Sequence, residues 1–170
     1  MRITGTVYRA HEPRFAFGPA SGDGASRHGG RFNPVGLPAL YTSLSTATAL
    51  REAQQGFTFK PVTLCAYRVA CDDVIDLTDR AVRAAHSVRP SHLACGWLEI
   101  ARRGEIPPSW RVAQRLIAAG FAGAIVPSFA PDATGADKNV VFWKWGSAVP
   151  HQVVVIDDDD RLPRNDLSWP

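Results

Sequence analysis

Cysteine is scarce and odd in number here: Cys65, Cys71 and Cys95 are the only three, and none stands in a C-x-x-C spacing. That argues against a disulfide framework and a zinc ribbon, and leaves small hydrophobes expected to be buried in a reduced compartment. No apolar run approaches the ~20 residues needed to cross a bilayer. The opening Met1-Arg2-Ile3-Thr4-Gly5 has one basic residue but neither the apolar core nor the cleavage site of a secretory leader, so a cytoplasmic protein is expected. Gly29-Gly30-Arg31 is not followed by Lys-Ser/Thr and G-x-G-x-x-G is missing, which sets aside the common phosphate loops. G-x-S-x-G is missing too, and no histidine has a telling spacing to a serine. His86 and His92 with Cys95 form H-x5-H-x2-C, which matches no common ligand set, so no metal is expected. The aspartates 157–160 lack the glycine and late glutamate of a calcium loop and read as a solvated run heading an acidic tail over 157–170.

Lysine is nearly absent as well. Lys60, Lys138 and Lys144 are the only three among 19 basic residues, and the rest are arginine. Arginine grips phosphate in a fixed planar geometry, although a GC-rich genome gives the same bias with no function attached. A net charge of +3 and a pI near 9.0 make a basic nucleic-acid-binding module a class to weigh. The arginines between Arg80 and Arg115 are spread out and not clustered with aromatics, so they read as a solvated surface.

What is present suits one globular domain over 1–170: 45% hydrophobic and 21% charged residues in 170 suffice for a real core. Alternation predicts a strand at 3–10, with Ile3, Gly5, Val7 and Arg9 on one face. The Gly, Ala and Ser-rich stretch 15–30 reads as a long surface loop directly before Arg31. A strand at 40–43 leads to a helix with Ser45 as N-cap and Gly56 as the residue past its end. Strands are expected at 62–69, 74–77, 124–127, 139–145 and 152–157, with an amphipathic helix at 110–119 ended by Gly120. Several strands, few short helices and no regular βαβ alternation point to an α+β fold.

One short unit gathers the chemistry. Gly29-Gly30-Arg31-Phe32-Asn33-Pro34, Tyr41-Thr42-Ser43 and Glu52 bring an arginine, an aromatic ring and a carboxylate close together in the chain. Arginine forks onto phosphate, a ring offers a stacking face, and a carboxylate holds ribose hydroxyls or steadies a cation forming at the sugar. Those types suit a phosphorylated nucleotide with a flat base and a cleavable sugar bond. Glu52 lies over Thr48 and Ala49 on its helix, whose small side chains leave room for a ligand.

Tyr8-Arg9, then Gly29 to Gly36, then Ala39 to Ser43 with Glu52, then Val126-Pro127-Ser128 before Asn139-Val140-Val141-Phe142 resembles the RES-domain family over about 8–155. Phe32 stands where many relatives have tryptophan, and within the family the chain looks closest to the ParT-type toxins. The resemblance implies a fold similar to the ADP-ribosyltransferase toxins, NAD+ as substrate without a metal, and an Xre-like antitoxin partner that covers the pocket. It implies that Arg9 and Arg31 hold the pyrophosphate or ribose region, that Tyr41 stacks on nicotinamide, and that Glu52 serves the reacting ribose. Ser128, Asn139 and Ser43 complete the pocket, and Gly30 lets the backbone approach the ligand. For the ParT-like branch it implies ADP-ribosylation of a protein, with phosphoribosyl pyrophosphate synthetase as target. NAD+ glycohydrolysis or phosphorolysis is the alternative.

Each residue also has a plain role open to it. Arg9 could pair with a carboxylate such as Asp76, Tyr41 could be a half-buried strand aromatic, and Glu52 could pair with a neighbouring arginine at the surface. Ser128 could be a turn residue and Asn139 could cap a strand end.

Overall fold

The computed structural model of the chain describes residues 1–55 and 60–167. Its strands are β1 (Ile3–His11), β2 (Leu40–Ser43), β3 (Thr63–Cys71), β4 (Val74–Asp76), β5 (Gly123–Pro127), β6 (Lys138–Phe142) and β7 (His151–Val155). They form one mixed sheet in the order β4-β5-β6-β2-β1-β3-β7, with only β4 and β5 parallel. The helices are α1 (Asp23–His28), α2 (Thr46–Gln54), α3 (Arg80–Ala85), α4 (Pro90–Leu93), α5 (Trp97–Arg102) and α6 (Pro108–Ala118). The architecture is the α+β class that the strand pattern indicated.

Chain connectivity forces the sheet to curl. Only Asp72 and Asp73 lie between β3 and β4, so Cys71 and Val74 are at most about 11 Å apart. The two strands stand five places apart in the sheet, which would be about 24 Å if it were flat. Met1 closes the curl: its α-amino group donates to the Val74 carbonyl at 2.8 Å, and the Val74 N–H donates to the Met1 carbonyl at 2.9 Å.

Side chains alternate across the strands into two cores. Val74, Ile125, Val140 and Phe142 point inside the curl with Val7, Tyr67, Val69 and Val153. Ile75, Ala124, Val126 and Val141 point to the other side, where Leu93 of α4 and Val112, Ala113 and Leu116 of α6 cover them. Strands β4 to β6 are therefore buried on both faces, and α2 packs against β1, β2 and β3.

Several expectations are revised. The stretch 15–30 is not one loop: it carries α1, and a 3-10 turn at Pro13–Phe15 leads into it. Helices α3, α4 and α5 have no counterpart in the sequence reading, since runs of four to six residues show no helical period. The strand expected at 139–145 ends at Phe142, because the N–H groups of Trp143 and Lys144 both turn to the Ala122 carbonyl. Ser45 does cap α2, accepting from the Thr48 N–H, and Gly120 with φ +93° follows the end of α6. Gly56 lies outside the described residues. Cys65 and Cys71 are buried, whereas Cys95 is half-buried, its thiol donating to Ser109 Oγ at 3.4 Å.

Phe142 has no exposed surface while Leu98 is 42% exposed, so truncation separates core from rim. Phe142→Ala is expected to lose about 3–5 kcal/mol and Leu98→Ala less than about 1 kcal/mol, read from urea unfolding midpoints at equal m-value.

Candidate active site

A cleft of about 570 Å3 opens where α2, β2, β5 and β6 meet the segment 29–34. Arg9, Arg31, Tyr41, Glu52, Phe129 and Asn139 line it, and Glu52 is the only acidic side chain among the described lining residues. A smaller compartment of about 220 Å3 adjoins it across Arg9, Tyr41, Glu52 and Asn139, and Ser43 lines that part. No histidine lines either compartment among the described residues.

Glu52 is oriented through one oxygen. Its Oε1 accepts from Ser128 Oγ at 2.6 Å and from Asn139 Nδ2 at 2.5 Å. Both donors among the described residues go to Oε1, which leaves Oε2 as the oxygen to meet a ligand. The Asn139 amide is set in turn by the Ser43 hydroxyl, which donates to Oδ1 at 2.7 Å and so turns Nδ2 toward Glu52. Ser128 Oγ also accepts from the Ala130 N–H at 3.2 Å. Ser43 and Ser128, expected to contact the ligand, thus act on Glu52, Ser43 by way of Asn139.

Helix α2 is held at a second point. Asp137 Oδ1 accepts from Thr48 Oγ1 and from Arg51 Nη1, and its Oδ2 accepts from the N–H and hydroxyl of Thr134. Arg51, not Glu52, is therefore the ion-paired residue of this helix. The Thr134 N–H above all, then Thr48, hold the Asp137 carboxyl down at about 2.

The two arginines lie in the cleft wall without a carboxylate at salt-bridge distance among the described residues. Arg9 Nη1 donates to the carbonyls of Pro19 and Ser21, both at 3.0 Å, and Asp76 is occupied by Thr78, so the Arg9–Asp76 pair does not form. Arg31 Nη1 donates to the carbonyls of Leu93 at 3.2 Å and Cys95 at 2.6 Å, and its guanidinium lies 4.5 Å over the Phe129 ring. Burial lowers the pKa of both, and for Arg31 the nearby Glu52 carboxylate works against that shift. A desolvated guanidinium bound only to carbonyls remains cationic and favours an anionic ligand.

Aromatic polar groups pin the segment that carries Arg31. Trp110 Nε1 donates to the Gly30 carbonyl at 2.7 Å and Trp143 Nε1 to the Phe32 carbonyl at 2.9 Å. The Tyr41 hydroxyl accepts from the Phe32 N–H at 2.9 Å and donates to Asn33 Oδ1 at 2.7 Å. Burial pushes the Tyr41 phenol well above its ordinary range, so it stays protonated and able to donate. A Cβ on Gly30 would stand 2.5 Å from that hydroxyl, so the glycine serves close packing against Tyr41. Expected site residues Arg9, Gly30, Arg31, Tyr41, Glu52 and Asn139 are brought together, with the Tyr41 hydroxyl turned to the segment. Phe129, Asn33 and Asp137 carry roles that the sequence reading did not assign. Phe129 directly follows Ser128, and Asn33 lies inside the quoted motif, so position was the only signal for either.

Tyr41→Phe leaves the Phe32 N–H and Asn33 Oδ1 unpaired and is expected to lose about 1–3 kcal/mol in thermal or urea unfolding. Asp137, depressed from its ordinary 3.8, contributes stability above that value that is lost as pH falls toward about 2. Asp137→Asn should flatten the dependence of melting temperature on pH between about 4 and about 2, measured by calorimetry across that window.

No curated protein is significantly similar to the chain in sequence. A chain of the M. tuberculosis MbcT-MbcA toxin-antitoxin complex, known from its crystal structure, shares the fold with a TM-score of 0.61 at 20% identity, over 92% of this chain and 84% of that one. The family model of the RES domain matches residues 6–165. With that match spanning nearly its whole length and the motif residues lining one cleft, the chain belongs to the RES-domain family.

Proposed function

We propose that the chain is the toxin of a bacterial toxin–antitoxin pair, a single domain that consumes NAD+ and transfers ADP-ribose to a cytosolic protein. The observation that carries the reading is Glu52, oriented through Oε1 by Ser128 and Asn139, in a cleft that also holds Arg9 and Arg31. Two guanidiniums that meet no carboxylate among the described residues suit a diphosphate, and Tyr41 and Phe129 supply ring faces for a base.

The bond between nicotinamide and ribose breaks with its electron pair passing to the ring nitrogen, so the base leaves neutral and no general acid is needed. The acceptor donates a lone pair to the same sugar carbon and gives up its proton to solvent water. The barrier lies in the oxocarbenium-like cation between these events, and the Glu52 carboxylate lowers it electrostatically. Ser128 and Asn139 preorganise that carboxylate, so little reorientation is needed during reaction.

RES-family membership and the fold shared with a chain of a toxin–antitoxin complex support the toxin reading. An Xre-like antitoxin is the proposed cover of the cleft, and phosphoribosyl pyrophosphate synthetase the proposed acceptor.

Incubation with labelled NAD+ and cell lysate is expected to give nicotinamide release and a labelled protein band. Glu52→Gln should keep the melting temperature and lower release at least about 100-fold. Free ADP-ribose or its 1″-phosphate without a labelled band would replace transfer by NAD+ degradation. Undiminished release by Glu52→Gln would overturn the mechanism.

A further inference from the structure

Arginines that are scattered between residues 80 and 115 in the sequence meet in space. Arg89, at the head of α4, and Arg111 and Arg115, one turn apart on α6, surround a pocket of about 370 Å3 with His92, over a floor of Pro108 and Val112. This pocket shares no lining residue with the cleft of Glu52. None of its described lining residues is acidic, and none of the three guanidiniums has a carboxylate at salt-bridge distance among the described residues. Elsewhere Arg51, Arg102 and Arg103 are each paired.

The cluster is short of acceptors. Arg115 Nη2 donates to the His86 carbonyl at 2.8 Å. His92 Nδ1 lies 3.2 Å from the Arg89 backbone nitrogen and Nε2 lies 2.9 Å from Arg89 Nε. A neutral imidazole accepts at one nitrogen only, so one of these contacts sets N–H against N–H. An anion would supply the missing acceptor.

We infer that the pocket between α4 and α6 binds a compact phosphorylated small molecule carrying at least two negative charges. Three arginines lining one concavity match the several oxygens of a diphosphate or a phosphorylated sugar. The volume lies in the range of small-molecule pockets, about 300–1,000 Å3. A nucleic-acid face would instead present its cations as a stripe with several aromatic stacking platforms, and no Phe, Tyr or Trp is among the described residues that line this pocket. The ligand would bridge α4 and α6, the elements whose Leu93 carbonyl and Trp110 indole hold Arg31 and Gly30.

Calorimetric titration of the full chain with pyrophosphate at low salt tests the assignment without reference to turnover. Arg111→Gln is expected to weaken binding about tenfold, and Arg111→Gln with Arg115→Gln about 100-fold. Arg111 is exposed and carries no side-chain hydrogen bond among the described residues, so its single variant keeps the fold, which the melting temperature checks. Absence of binding, or binding lost in Arg31→Gln but kept in Arg111→Gln, would overturn the inference. So would a single-stranded oligoribonucleotide that binds more tightly than pyrophosphate and is weakened by the same Arg111→Gln, since the patch would then be a nucleic-acid face.

Discussion

Two carboxylates hold α2 to the sheet, and the geometry of the cleft depends on that clamp. Glu52 takes donors from Ser128 after β5 and Asn139 in β6, while Asp137, just before β6, takes donors from Thr48 and Arg51 of α2. The connection from residue 128 to 139 is thus tied to the helix at both of its ends. Hydrogen bonds made inside a protein, away from bulk water, are expensive to lose, because each broken partner leaves a desolvated group. The clamp therefore orders the Glu52 carboxylate during folding and not when a ligand arrives, which lowers the cost of binding and reaction.

The opposite wall is held differently. Apolar and aromatic packing does most of the work there, and the indoles of Trp110 and Trp143 and the phenol of Tyr41 fix the backbone of 30–33 with single hydrogen bonds. Rings of this kind suit the task because each brings a large buried body and one polar tip. Arg31 then projects from a segment that cannot relax toward a carboxylate, resting on Phe129 and two carbonyls. The wall carries unneutralised positive charge and the facing helix carries one negative group. That pairing suits a ligand with phosphates at one end and a developing cation at the other.

Local sequence made much of this legible. Strands β1, β2, β5 and β6 show the two-residue period or apolar runs, Ser45 and Gly120 mark helix ends, and the ordered motif singled out Arg9, Arg31, Tyr41, Glu52, Ser128 and Asn139. The short helices were not legible, since four to six residues neither repeat a helical period nor hold a helix without tertiary contacts. The protein partners of Ser43 and Ser128 were not legible for a related reason. Their partners depend on groups 96 and 76 residues away, and no local pattern encodes which atom a hydroxyl will face.

By itself, then, the sequence determined the residue types available for chemistry, the strand faces and the helix caps, because these depend on neighbours within a few positions along the chain. Tertiary structure alone decided that β3 and β4 meet around a curled sheet, that Asp137 pairs with Arg51 while Arg31 rests on backbone carbonyls, and that Arg89, Arg111 and Arg115 share one pocket. Those outcomes join segments far apart in sequence. They arise only when burial of both sheet faces brings the segments together, and no short-range rule contains them.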